Sequence, residues 1–215
     1  MLRLIFSVII VNGLIAIGLV NAEDLKKNHD LLETITSNQQ TSQTVVYEVQ
    51  IGDTLGKLAQ NYGTTIDLIK KRNNLKSDVI QVGQQLSIWT GKFNIFVSKS
   101  KNILVLKNNN ENVKTYTVST GKDTSVTPVG EFTIVSKLVN PVWFNKGVTV
   151  PAGSPTNALG TRWLGFNLPS YGIHGTIEPK TIGSYETAGC VRMRNEDVEE
   201  LYSLIPVGTK VVIVE

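Results

Sequence analysis

The chain carries one cysteine, Cys190, and the second of its two histidines, His174, precedes it by 16 residues. A thiol attacks carbonyl carbon mainly as thiolate, and a neighbouring imidazole is the usual means of removing its proton at neutral pH. His174 lies in the run YGIHGT (171–176) and Cys190 in TAGCVRMRN (187–195). Strand ends that flank one loop can bring two such side chains together. Gly189 lets backbone approach a substrate with no Cβ in the way, and the amides of Gly189 and Cys190 are candidate donors to a developing oxyanion. Arg192 stands two residues beyond Cys190, on the same side of an extended chain, where it would hold a carboxylate or brace the loop. The carbonyl of Gly175 is placed to accept the other imidazole N–H and fix the tautomer of His174.

What a lone cysteine means depends on the compartment. The chain opens with Arg3, an apolar run from Leu4 to Val20 and the small-residue pattern Val20-Asn21-Ala22. This is read as a signal peptide (1–22) cut after Ala22; the apolar run is close to the lower limit for crossing a bilayer, which leaves an uncleaved anchor as the rival, and the well-formed cleavage pattern favours removal. Cysteines outside the cytoplasm usually pair, so an unpaired one is a buried hydrophobe, an intermolecular link or a working thiol. Removing the leader leaves 193 residues with 20 basic and 18 acidic side chains. So small a net charge, spread along the chain, argues against nucleic acid as a partner. With only His29 and His174 available, a zinc site of two or three imidazoles is not expected, and no metal or other cofactor is implied.

Several elements must position these groups. Residues 23–44 begin charged and end in a Ser/Thr/Gln/Asn tract without apolar periodicity, which reads as a linker. From 45 to 89 the pattern is strand, helix, helix, strand. Val45, Tyr47, Val49 and Ile51 alternate with polar residues; Gly52 breaks the strand and Asp53 is a candidate cap. Leu55, Leu58, Ala59 and Tyr62 form a helical stripe ending at Gly63, Thr65 caps a second helix, and Leu86 and Ile88 return to strand period. Residues 93–215 are short β-rich runs separated by Gly, Pro and Asn turns, as in a β-sandwich or open barrel. One clear helix follows Asn195, read as its cap rather than as a substrate ligand, with Val198, Leu201, Tyr202 and Ile205 at helical spacing. Trp143, Trp163 and Phe166 would either line a groove or fill the core.

Two resemblances attach to these segments. The stretch YEVQIGDTLGKLAQNYGTTIDLIKKRNNLKSDVIQVGQQLSI resembles a LysM domain in its GDTL opening, its NNL after the second helix and its closing I-x-x-GQ-x-L-x-I. That resemblance implies a small α+β fold (βααβ) that binds the N-acetylglucosamine-containing glycan strands of peptidoglycan or chitin. Its groove would fall at Gly52, Asp53, Thr54 and Leu55 on one side and Val79, Ile80 and Gln81 on the other. Residue types suited to turning and capping the chain are the same ones, so a purely structural role is equally open for each.

The segments STGKDTSVTPVGEF (119–132), NPVWF (140–144), NALGTRWLGF (157–166), YGIHGT (171–176) and TAGCVRMRNED (187–197) resemble, in order, the L,D-transpeptidase catalytic domain of the YkuD family. The resemblance implies a mainly-β domain with one main helix and a covalent reaction on peptidoglycan stem tetrapeptides. Cys190 would attack the carbonyl preceding the terminal D-alanine, and His174 would serve as base and then acid. Gly175 would orient His174, and the Gly189 amide would hold the oxyanion. Arg192, Trp163, Tyr171 and Thr187 would contact substrate. An amine of a neighbouring stem then completes a 3-3 cross-link, or water completes L,D-carboxypeptidase trimming. β-Lactams of the carbapenem class would acylate Cys190, and the protein would reside at the cell wall or envelope. The family commonly has Ser-His-Gly-Cys where this chain has Thr187-Ala188-Gly189-Cys190, and Ala188 is read as affecting substrate fit. A wall-binding protein with an inactive second domain is the competing reading, disfavoured by the intact His174, Gly189, Cys190 and Arg192.

Overall fold

The computed structural model describes residues 6–11, 14–19, 22–121, 126–145 and 147–215. Strands β1 (Phe6–Val11) and β2 (Leu14–Leu19) pair antiparallel within the apolar leader, and the cleavage pattern at Val20 and Asn21 lies outside the described residues. No helix among the described residues is long and apolar enough to cross a membrane.

The segment expected to be a linker opens instead with a helix, α1 (Ala22–Thr36). Ile35 is fully buried in the main core, with Leu31 and Leu32 packed against it. Three apolar residues at i, i+1 and i+4 suffice to dock a helix whose remaining surface is charged, which is why composition hid it. The terminal carbonyls of a helix lack intrahelical partners; here Arg72 supplies them. Its Nη1 donates to the carbonyls of Thr34 (3.0 Å) and Ile35 (2.5 Å), and its Nη2 donates to Gln39 O (2.9 Å) and Ser87 Oγ (3.0 Å). The same guanidinium lies 5.5 Å from the centre of the Trp89 ring.

The expected strand-helix-helix-strand unit follows: β3 (Thr44–Glu48), α2 (Leu55–Tyr62), α3 (Ile66–Arg72) and β4 (Gln85–Trp89), with β3 and β4 antiparallel. Thr54, and not Asp53, caps α2 by accepting from Lys57 N–H (3.2 Å), and Thr65 caps α3 through Leu68 N–H (2.9 Å). Gly63 ends α2 in the left-handed region at φ 61°, as its lack of a Cβ permits. Val49, Leu55, Leu58, Ala59, Ile69, Leu86 and Ile88 fill the small core between the helices and the strand pair.

The rest of the chain is mainly β, as expected. It comprises β5 (Phe93–Ser98), β6 (Ile103–Asn108), β7 (Glu111–Thr117), β8 (Thr120–Gly121), β9 (Gly130–Val139), β10 (Trp143–Asn145) and β11 (Val148–Val150). Then come β12 (Arg162–Phe166), β13 (Gly172–His174), β14 (Tyr185–Thr187), β15 (Val191–Arg192), helix α4 (Asn195–Leu204) and β16 (Lys210–Val214). Eight strands form one sheet in the order β15–β13–β12–β9–β16–β5–β6–β7, parallel only at β15–β13 and β16–β5. Val198, Leu201 and Leu204 of α4 join Ile134, Leu164, Ile173, Val191 and Val211 in its core.

That core does not stop at the domain boundary. Leu68 and Trp89 of the N-terminal unit belong to it, and the hydroxyl of Thr65 donates to Ser203 O at the far end of α4. The connection at 90–92 is bound as well: Thr90 N–H donates to Gln43 O and Asn109 N–H to Lys92 O, each at 2.9 Å. Lys137 closes the C-terminal end of α4, its Nζ donating to Tyr202 O and Ile205 O at 2.7 Å.

Candidate active site

Register brings the segments that carry His174 and Cys190 side by side. On the parallel pair β13 and β15, Ile173 lies opposite Val191 and His174 opposite Arg192. Ile173 and Val191 are fully buried, so alternation turns Gly172, His174, Cys190 and Arg192 to the other face. The thiol therefore stands beside Gly172, a position with no side chain between it and the imidazole two residues on.

His174 Nδ1 lies 2.7 Å from Gly175 O. A carbonyl only accepts, so Nδ1 carries the proton and Nε2 keeps its lone pair for the thiol. The Trp163 ring stacks on the imidazole, centroids 6.0 Å apart at 22°. Burial lowers the His174 pKa to about 4; the Gly175 carbonyl opposes this and the Arg192 charge adds to it. Burial likewise raises Cys190 to about 11, opposed by a hydrogen bond from the Gly172 backbone. Both groups are thus neutral at pH 7, a thiol and an imidazole, and the Cys190 thiol donates to Ser170 O at 3.5 Å.

The turn before Cys190 is built by Thr187, whose hydroxyl donates to Cys190 O (2.7 Å) and accepts from Gly189 N–H (3.2 Å). Thr187 is buried, with its hydroxyl engaged in the turn on both sides. Glycine is required at 189: φ is +106°, and a Cβ there would sit 2.8 Å from the Tyr171 ring. Tyr171 is thereby fixed against the nucleophile's turn. Arg192 is mostly buried, with Nε and Nη2 lacking hydrogen-bond partners among the described residues. The nearest carboxylates, Glu178 and Glu186, stand 3.7 and 3.8 Å away, beyond hydrogen-bond reach.

Residues 92–213 match the family model of the YkuD L,D-transpeptidase catalytic domain, and residues 47–89 match that of the LysM domain. The chain belongs to the YkuD family of L,D-transpeptidases.

The chain is 35% identical over 175 residues to YkuD of Bacillus subtilis, covering 79% of its own length and 98% of the relative's. It is 40% identical over 126 residues to YqjB of the same organism, covering 56% and 70%. Both relatives are provisionally named L,D-transpeptidases. A further B. subtilis relative, YocH, named a cell wall-binding protein, is 42% identical over 77 residues, 32% of this chain and 27% of that one. In fold the chain is similar to an L,D-transpeptidase from Mycobacterium tuberculosis H37Rv, with a TM-score of 0.51 at 17% identity over 63% and 64% of the two chains.

The aromatic residues divide. Phe166 is core, stacked on Phe132 at 5.4 Å; Trp163 walls the imidazole; Trp143 lies half-buried on the β10–β11 hairpin. Of the 119–132 segment, residues 122–125 lie outside the described residues. Ala188 is exposed beside the nucleophile's turn. Asn195 is not the cap of α4: Arg194 holds that position without a side-chain bond, and Asn195 Oδ1 instead accepts from the amides of Thr161 and Thr176.

In the LysM domain the predicted groove residues serve mainly the fold. Gly52 has φ +86°. Asp53 Oδ2 accepts from Gln50 N–H (2.8 Å) and Tyr47 OH (2.7 Å), bonds that hold its carboxyl below the usual range. Leu55 is 2% exposed and faces the core, out of reach of a surface ligand, and Ile80 packs partly against the same core. The same two loops instead present Ile51 and Val79 to solvent, 90% and 76% exposed.

Proposed function

We propose that the protein is a cysteine-dependent peptidoglycan L,D-transpeptidase of the cell envelope, exported by its leader, with the LysM domain holding glycan strands. The observation that carries this reading is the pair His174 and Cys190 on one face of adjacent parallel strands, with the imidazole proton committed to Gly175. As Cys190 sulfur bonds to the carbonyl carbon before the terminal D-alanine, its proton passes to His174 Nε2. The oxyanion of the tetrahedral adduct falls to the amide of Cys190, since Thr187 occupies that of Gly189. On collapse the carbon–nitrogen bond breaks, and His174 returns the proton to the departing D-alanine amine, leaving a thioester. A side-chain amine of a second stem, deprotonated by His174, attacks the thioester carbonyl and the thiol is regenerated. The Nε and Nη2 of Arg192, which have no hydrogen-bond partner among the described residues, suit a stem-peptide carboxylate.

The test is to incubate the full chain with disaccharide tetrapeptides and follow the products by mass spectrometry, with Cys190→Ala as control. The expected products are free D-alanine and cross-linked dimers, both absent with Cys190→Ala, and a carbapenem adduct on Cys190. D-alanine release without dimers assigns L,D-carboxypeptidase activity. Neither product, with Cys190 left unacylated, refutes the enzyme and leaves a wall-binding protein.

A further inference from the structure

Two Gly-Thr pairs far apart in sequence, Gly160-Thr161 and Gly175-Thr176, converge on one side-chain oxygen. Asn195 Oδ1 accepts from Thr176 N–H at 3.0 Å and from Thr161 N–H at 3.3 Å. Both glycines are dictated by this approach: a Cβ at Gly160 or Gly175 would lie 2.3 or 2.2 Å from Oδ1, closer than any side chain tolerates.

The Thr176 amide that Asn195 holds and the Gly175 carbonyl that holds His174 are two ends of the same peptide unit. That unit is planar and trans, so fixing its N–H fixes the direction of its C=O. A hydrogen bond at the N–H end also polarises the carbonyl and strengthens its grip on the imidazole proton. The second bond, to Thr161, ties the same oxygen to the start of β12, whose Trp163 stacks on His174. Asn195 itself is anchored as the first residue of α4, a helix locked into the core by Val198, Leu201 and Leu204.

We infer that Asn195 is a positioning residue for catalysis: through the Gly175–Thr176 peptide it sets the tautomer and direction of His174. The inference rests on His174 being the general base of the proposed reaction. Loss of the outer partner that orients a metal-bound histidine typically costs about 10- to 100-fold; a loss of the same order is expected here, and it falls on kcat because Asn195 acts on the imidazole through the Gly175–Thr176 peptide.

The chain's two histidines make the test direct, since a histidine-labelled sample shows only two imidazole rings by nitrogen NMR. In the wild type, His174 should be the Nδ1–H tautomer. With Asn195→Ala it should become a mixture of tautomers, with kcat for D-alanine release from disaccharide tetrapeptide down about 10- to 100-fold and KM within about twofold. Asn195→Asp keeps an oxygen able to accept from both amides and places its charge at the favourable end of α4. It should therefore retain the wild-type tautomer and most of kcat. An Nε2–H tautomer in the wild type, an unchanged tautomer in folded Asn195→Ala, or an Asp variant as damaged as Ala overturns the inference. Absence of turnover in the wild type refutes the proposed reaction instead, and the NMR still decides what Asn195 does to His174.

Discussion

Burial places His174 and Cys190 on opposite sides of neutrality, and the sign of the pH dependence of the proposed reaction follows. His174 with a pKa of about 4 is a free base from mildly acidic pH upward, and Cys190 near 11 remains a thiol across the same range. Acylation should hold a plateau from about pH 6 to 9 and fall in acid, tenfold per unit below about pH 4, as His174 gains the proton that blocks it as a base. Single-turnover thioester formation after brief pH jumps measures this; an acid limb centred near 6.5 would mean an imidazole open to water. Much at this scale was legible from residue type and order: a lone cysteine, a histidine before it, a glycine carbonyl to orient the ring. The bond between Thr187 and the Gly189 amide was not legible, because the hydrogen bonds of a turn are fixed by its three-dimensional path. Asn195 was misread because an asparagine opening a helix has the composition of a cap; the repeated Gly-Thr was the available sign of its other use.

Elements were read well where periodicity was strong. The two helices and flanking strands of the LysM domain, and the strand runs of the catalytic domain, stand where apolar spacing puts them. Helix α1 was lost because polar residues around Leu31, Leu32 and Ile35 resemble a solvated linker, and because its C-terminal partner, Arg72, comes from another domain. Arginine in the basic run KKR reads as surface, yet Arg72 is fully buried, with its charge dispersed over carbonyls and the Trp89 face. Arg72→Ala would leave the carbonyl of buried Ile35 without its donor and remove the bonds to the partly exposed carbonyls of Thr34 and Gln39. The expected cost is about 3 kcal/mol in chemical denaturation, with faster amide exchange over residues 31–36. A loss under about 1 kcal/mol would mean that α1 is held by its apolar stripe alone.

For the whole molecule, the continuous core changes what the LysM domain is for. A module on a free tether raises the local concentration of substrate and leaves the catalytic domain's stability untouched. Here Leu68 and Trp89 are part of the catalytic domain's own core, and the contact with Ser203 lies at one end of α4 while Asn195 occupies the other, about 12 Å along the helix. Glycan capture and fold support are therefore separable by the kind of change made. Deleting residues 45–89 strips apolar partners from that core, at about 1.5–3 kcal/mol for each large side chain lost, and should lower the melting temperature and the activity on every substrate, small muropeptides included. Changing Ile51 and Val79 to serine touches only exposed loops of the LysM domain. That double variant should keep the melting temperature and muropeptide turnover of the wild type while losing at least about tenfold on intact sacculi, part of the roughly 10²- to 10⁴-fold gain that linking two binding modules can confer. A deletion that spares muropeptide turnover would return the LysM domain to the role of a simple tether, and a loop variant with full activity on sacculi would place its glycan contacts elsewhere.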